Sequence, residues 1–285
     1  MSEVAAAPAP IPALPERPEG ASEWPRWPLS YGAYGFAIGV CGGIAALVFM
    51  LPAFSVVSLW HFGWQVDTDD SLPALELAAT FAQDVLWVVG AVLLAKRIAP
   101  PRPWHFGLRR PRFGQAIGFM ALAIGVYIAI TLLYDVILKP PDNQPIDTGN
   151  LLGVQIASCF VIVVSAPFCE EFFFRGFLYR TLRGRFGLWP ALVLDGALFG
   201  SIHLTSGGPL AVALIAPLGF LLCLIYERCG SIFPTIALHA LNNSIVSAAE
   251  FDRVSGVALG MGGAMLLACL VGALVSGRKP SPVGV

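Results

Sequence analysis

In 285 residues the chain is 56% apolar and only 12% charged, with 17 Lys and Arg balanced by 18 Asp and Glu for a net charge of -1. A soluble domain carries about a quarter charged residues, so the expected solvent is a lipid bilayer, and no basic patch calls for a nucleic-acid partner. The six cysteines (Cys41, Cys159, Cys169, Cys223, Cys229, Cys269) form no C-x-x-C pair and fall mostly in apolar stretches, where cysteine acts as a small hydrophobe, which supports neither a disulfide framework nor a thiolate zinc site.

Residues 1–30 are rich in Pro, Ala and Glu and lack the basic start, apolar stretch and cleavage site of a signal peptide. They read as a disordered cytoplasmic tail. Apolar runs long enough to cross the hydrocarbon core as helices then centre on Tyr31 to Leu59, Leu72 to Leu94, Ala116 to Leu138 and Leu151 to Phe168. Four more, some shorter, cover Trp189 to Leu204, Pro209 to Tyr226, Ile232 to Ala248 and Val257 to Val275. The expected fold is all-α, a polytopic membrane bundle of about eight transmembrane helices.

Positive charge alternates between the loops. Arg17 and Arg26 precede the first span, Lys96 to Arg112 separate the second and third, Arg175 to Arg185 the fourth and fifth, and Arg228 and then Arg278 with Lys279 continue the series. The intervening loops hold Asp67, Asp69 and Asp70, then Lys139, Asp142 and Asp147, then Glu250, Asp252 and Arg253. By the positive-inside rule both termini are expected in the cytoplasm, the protein being multi-pass in its membrane, the inner or plasma membrane if the source is prokaryotic. No internal repeat or matched pair of Gly-broken helices is visible, which weakens a transporter reading.

An ionisable group inside a bilayer costs about 2.5–3.5 kcal/mol on insertion scales and so asks for a reason. Three clusters ask most. The first is Glu170-Glu171-Phe172-Phe173-Phe174-Arg175 at the end of the fourth span, the second Phe199-Gly200-Ser201-Ile202-His203 in the fifth, the third His239-Ala240-Leu241-Asn242-Asn243 in the seventh. With a hairpin turn near Phe186 and Gly187, Glu170 and His203 each lie about 25 Å along their helices from it, hence at one depth. His239 and Asn243, four apart, share a helical face. Glu171 and Arg175 are also four apart and form the natural pair, leaving Glu170 as the candidate base. Two histidines and a carboxylate can hold a divalent metal that activates water. They can equally act without one, Glu170 and His203 polarising water while His239 and Asn243 stabilise an oxyanion.

These clusters resemble the CPBP family of intramembrane proteases, also called the Abi or CAAX protease family, which includes the Rce1-type prenyl endopeptidases. Glu-Glu-x-x-x-Arg matches Glu170, Glu171 and Arg175; Phe-x-x-x-His matches Phe199 and His203; His-x-x-x-Asn matches His239 and Asn243. The resemblance implies an endopeptidase that cleaves a membrane-embedded or lipid-modified substrate, CAAX-type and prenylated in part of the family. Glu170 and His203 would activate water, His239 and Asn243 would support the oxyanion, and Glu171, Arg175 and Phe199 would assist. It leaves open a divalent metal such as zinc on Glu170, His203 and His239. The chain then divides into the tail (1–30), a three-helix membrane region (31–148), the protease core (149–250), and a last span with a short tail (251–285).

Other polar residues carry blander expectations. Cys169 projects about 100° away from Glu170 and reads as core filler. Glu76, Asp84, Asp135 and Asp195 read as buried against polar partners, Asp195 alone being placed to orient His203. His61 and His105 fall in loops and are expected to be solvated. The competing function is a non-catalytic membrane immunity or scaffold protein of the same fold.

Overall fold

The computed structural model describes residues 27–62, 68–138 and 152–276. Among these residues it contains eight helices and no strand: α1 (Leu29–Phe62), α2 (Thr68–Lys96), α3 (Phe113–Leu138), α4 (Leu152–Phe186), α5 (Leu188–Ser201), α6 (Leu204–Cys229), α7 (Phe233–Glu250) and α8 (Ser255–Ser276). The N-terminal tail, Asp67, the segment with Lys139, Asp142 and Asp147, and Arg278 with Lys279 lie outside the described residues, as does the side chain of His61.

All the described elements being helical follows from the solvent, because a helix satisfies its backbone groups internally where water cannot. Six segments are long and apolar enough to span: Leu29–Pro52, Pro73–Lys96, Phe113–Leu138, Leu152–Phe186, Gly208–Cys229 and Asp252–Ser276. The other two are α5, which is shorter, and α7, which carries His239, Asn242, Asn243, Ser244 and Ser247. Helix α7 buries His239, Ser244 and Ser247 and half-buries Asn242 and Asn243, so its polar side chains are turned largely towards other helices. The protein is a multi-pass integral membrane protein.

Helix α4 is the axis of the bundle. It is 35 residues long and contains two wide, π-type turns, at Val161–Ser165 and Phe174–Leu178. Pro167 accounts for the first, since its missing N–H denies a partner to a carbonyl one turn earlier and the helix opens there. The segment between the two turns, Ala166–Phe173, carries both glutamates. Each wide turn re-aims the residues that follow it, and such turns are frequent at functional sites.

Around this axis the packing is aromatic. Trp87 of α2 stacks on Phe173 with ring centroids 5.5 Å apart and meets Phe174 edge-on at 5.4 Å, and Phe174 in turn meets Phe199 of α5 at 5.2 Å. Helices α5 and α6 approach closely through Gly196 and Gly200, where a Cβ would come within 2.8 Å of α6 atoms at Ala216 and Phe220. The α4–α5 turn falls at Gly187, whose φ of 84° favours glycine, in agreement with the expected hairpin.

Several expectations need correction. Glu76 and Asp135 are exposed rather than buried against polar partners. The stretch from Arg175 to Arg185 is no loop: α4 runs through it, and Arg175, Arg180 and Arg183 are buried. Each has a partner that makes this tolerable. Arg175 pairs with Glu171, Arg183 Nε donates to Glu227 Oε1 at 3.1 Å, and Arg180 donates to the His105 carbonyl with its guanidinium 4.4 Å over the Trp27 ring. His105 is likewise not solvated but 2% exposed, in a short turn (Pro103–Phe106) clamped between α4 and the start of α7. Ile232 N donates to Gly107 O at 3.0 Å, Ser231 Oγ to Arg109 O at 2.6 Å, and Arg109 to Gly230 O. Burial first, with Arg180 and Arg102 adding, pushes the His105 imidazole down to about 4.

Candidate active site

Helix α4 delivers Glu170 and Glu171 on different faces, as adjacent helical residues must be. Glu171, fully buried, accepts from Arg175 Nη1 at 2.7 Å through its Oε1, in the i, i+4 pair expected from the spacing. The same oxygen meets His239 Nδ1 of α7 at 3.0 Å. That contact turns the other ring nitrogen towards Glu170, with His239 Nε2 3.8 Å from Glu170 Oε2. Glu170 is 7% exposed, and among the described residues its Oε2 has no hydrogen-bond partner. A buried acid oxygen without a partner is costly, and the gap to Nε2 is too long for a direct hydrogen bond.

His203 does not lie within α5. That helix stops at Ser201, and His203 occupies the turn that opens α6, with φ -91° and ψ 4°. At 14 residues, α5 is about 21 Å long against a hydrocarbon core of about 30 Å. It is therefore too short to cross that core unaided, and the partly buried turn at Ile202 and His203 follows it. His203 Nδ1 meets Phe199 O at 3.1 Å, serving a carbonyl in the last turn of α5. With Nδ1 as the donor, Nε2 is the acceptor end of the ring. Phe199 stands between the two histidines, its centroid 5.4 Å from His203 and 5.6 Å from His239.

Asn243 is anchored by the first wide turn of α4. Its Nδ2 donates to Ile162 O at 2.8 Å, and its Oδ1 accepts from Asn242 Nδ2 at 3.2 Å. The carbonyl it takes lies within the turn that Pro167 opens, so proline and asparagine act together. The carboxamide carries a second N–H beyond the one given to Ile162.

The structure therefore brings Glu170, Glu171 and His239 together directly, reaches His203 through Phe199, and ties Asn243 to the backbone of the same helix. Arg175 sits behind them, with Nη2 donating to Gly219 O at 2.9 Å and its guanidinium 4.3 Å over the Phe199 ring. Among the described residues no group of three or more His, Cys, Asp or Glu is disposed to hold a metal ion. Glu171 and Phe199 O occupy the two Nδ1 atoms, and Glu170, His203 and His239 do not close on one point as a ligand set.

Asp195 does not orient His203. Its Oδ2 accepts from Cys223 Sγ at 2.8 Å and lies 3.8 Å from Arg175 Nε. No local spacing links residues 195 and 223, so this partnership exists only in the tertiary structure. Asp84, on α2, is buried as expected and accepts from Ser165 Oγ at 2.8 Å. It lies near enough to Glu170 for the two carboxyls to interact electrostatically. An acid in an apolar span was the available signal for it. The described cysteines are all unpaired, and all but Cys41 are buried.

Residues 152–245 match the family model described as type II CAAX prenyl endopeptidase Rce1-like, the family that the three motifs resemble. Neither the comparison with curated proteins nor that with solved structures returns a match.

Proposed function

We propose, from an Rce1-like domain at residues 152–245, that the protein is an intramembrane endopeptidase hydrolysing a peptide bond of a membrane-associated substrate, with Glu170, His203, His239 and Asn243 as its catalytic residues. The observation that carries this reading is the buried, unpartnered Glu170 Oε2 facing His239 Nε2 across 3.8 Å. Both atoms need a third polar group within reach, and admitting a water molecule or a reacting carbonyl there requires the sealed pair to open.

In the reaction, Glu170, assisted by His203, takes a proton from water, and the hydroxide forms a bond to the carbonyl carbon of the substrate. Negative charge passes to the carbonyl oxygen. His239, held by Glu171 at Nδ1, in its charged form donates from Nε2 to that oxygen, and the second N–H of Asn243 adds to it. Collapse of the intermediate breaks the C–N bond, and the proton on Glu170 goes to the departing amine. Burial strengthens each of these interactions.

The substrate is a membrane-embedded or lipid-modified peptide, prenylated and CAAX-type in the narrowest version of the proposal. Both termini lie in the cytoplasm and cleavage occurs near that face, as the distribution of Lys and Arg supports. A divalent metal such as zinc is the alternative water activator, and would require Glu170, His203 and His239 to move onto one point. Elemental analysis of the purified protein, with loss or survival of cleavage after chelation, decides between the two.

The direct test is a Glu170→Gln variant in native membranes. It should trap an uncut substrate whose termini differ from those in cells carrying the active protein. If Glu170→Gln and His203→Ala fold normally and function persists, the chain is a non-catalytic immunity or scaffold protein instead.

A further inference from the structure

Arg175 is held from more sides than its ion pair with Glu171 needs. Glu171 takes Nη1, Gly219 O takes Nη2, the Phe199 ring lies 4.3 Å from the guanidinium carbon, and Asp195 stands 3.8 Å from Nε. Asp195 is fully buried, and its Oδ2 is itself held by the Cys223 thiol at 2.8 Å. A second acid against one buried arginine is costly inside a membrane. It adds no charge balance that Glu171 does not already supply. What it adds is direction: at 3.8 Å Asp195 is too far to hydrogen-bond Nε, but its position on that edge, with Glu171 and Gly219 O on the other two nitrogens, favours one orientation of the planar guanidinium.

The orientation is passed on. Arg175 Nη1 fixes Glu171 Oε1, and that oxygen fixes His239 Nδ1, leaving Nε2 directed at Glu170. A continuous series of polar contacts thus joins Cys223 of α6, Asp195 of α5, Arg175 and Glu171 of α4, and His239 of α7. The close approach of α5 to α6 at Gly196 and Gly200 brings its first two members together. None of the three sequence motifs contains Asp195 or Cys223.

We propose that Asp195 and Cys223 are positioning residues for His239, acting through Arg175 and Glu171. Only the consequence for rate rests on the protease reading; the orientation of the imidazole does not. The test therefore has two arms. In the first, protein carrying 15N-labelled histidine is reconstituted in lipid nanodiscs, and the His239 ring signals are assigned by their absence in His239→Gln. Asp195→Asn should shift the His239 Nδ1 resonance in the direction that Arg175→Lys shifts it, while the His105 resonances stay in place. Cys223→Ala, which removes only the thiol donor, should produce a smaller shift of the same sign and guards against a misfolded Asp195 variant.

In the second arm, cleavage of a membrane-anchored reporter peptide should lose roughly tenfold or more in kcat in Asp195→Asn, at unchanged KM. Combining it with Glu171→Gln should cost nothing further, because both substitutions break one series. An unmoved His239 signal in folded Asp195→Asn and Cys223→Ala protein overturns the proposal, as does a fully additive double variant. If the wild-type protein cleaves nothing, the protease reading fails, and the resonance shifts still decide this inference.

Discussion

Helices α3 and α4 are both long and apolar enough to span a bilayer, yet they are opposites in the fold. α3 buries only Ala116 and Ala123 and turns Leu132, Val136 and Ile137 to lipid. α4 buries nearly every residue from Val161 to Arg183, three arginines and two glutamates among them. In water the apolar helix face finds the core, but in a bilayer lipid tails are as apolar as leucine and hydrophobicity gives no such direction. Polar side chains give it instead, and the bundle assembles around them.

Substitutions that exchange the roles of these two helices measure the difference. The largest effect is expected from Glu170→Gln, which should lower cleavage by about 10²–10⁴-fold if the carboxylate is the general base. The expression level and the melting temperature in detergent should stay near those of the parent.

Next come Glu171→Ala and Arg175→Ala. Each removes the directly hydrogen-bonded ion-pair partner of a buried charge, leaving Arg175 with Asp195 at 3.8 Å or Glu171 with His239, and should destabilise the protein by about 3–5 kcal/mol, measured by unfolding in mixed micelles. The double variant should be less damaged than the sum of the singles, since the two side chains share one ion pair and neither member of it remains.

A smaller effect concerns the clamp outside the spans. His105 is held neutral by burial down to about pH 4, against an ordinary value of 6.5. The unfolded chain therefore takes up a proton between about pH 6.5 and 4 that the folded one refuses, so stability falls as pH drops through that window. Thermal melts across it should show the decline, and His105→Gln should flatten it. A melting temperature with identical acid dependence in the two proteins would contradict the assignment.

The smallest effect is expected on α3. Leu132, 60% exposed on the lipid-facing side, should tolerate replacement by Ala within about 0.5 kcal/mol. A large loss at this position would mean that α3 is covered by another chain, and would remove the contrast with α4.

Much of the site was legible because helical spacing is rigid. The i, i+4 pairing of Glu171 with Arg175 and the turn at Gly187 follow from local periodicity, and both are present in the fold. The spacing could not reveal that α4 continues through the arginines at 175 to 185, because whether an arginine ends a span depends on partners elsewhere, here Glu227, Trp27 and the carbonyl of His105. The same reason explains Asp195. Its distance in sequence from His203 suggested a shared face, but α5 ends first, and the acid finds Arg175 and Cys223 across the close α5–α6 contact.

By itself the sequence determined the solvent, the number of helices and the three polar clusters, since each depends on composition or on spacing within one helix, where 3.6 residues per turn leaves little freedom. Only the tertiary structure decided which atoms of those clusters meet. The wide turns of α4 on either side of Glu170 and Glu171, the early stop of α5 at Ser201 and the insertion of polar α7 set Glu171 Oε1 between Arg175 and His239. Such contacts join residues tens of positions apart on different helices, and no local rule of propensity or periodicity carries that information.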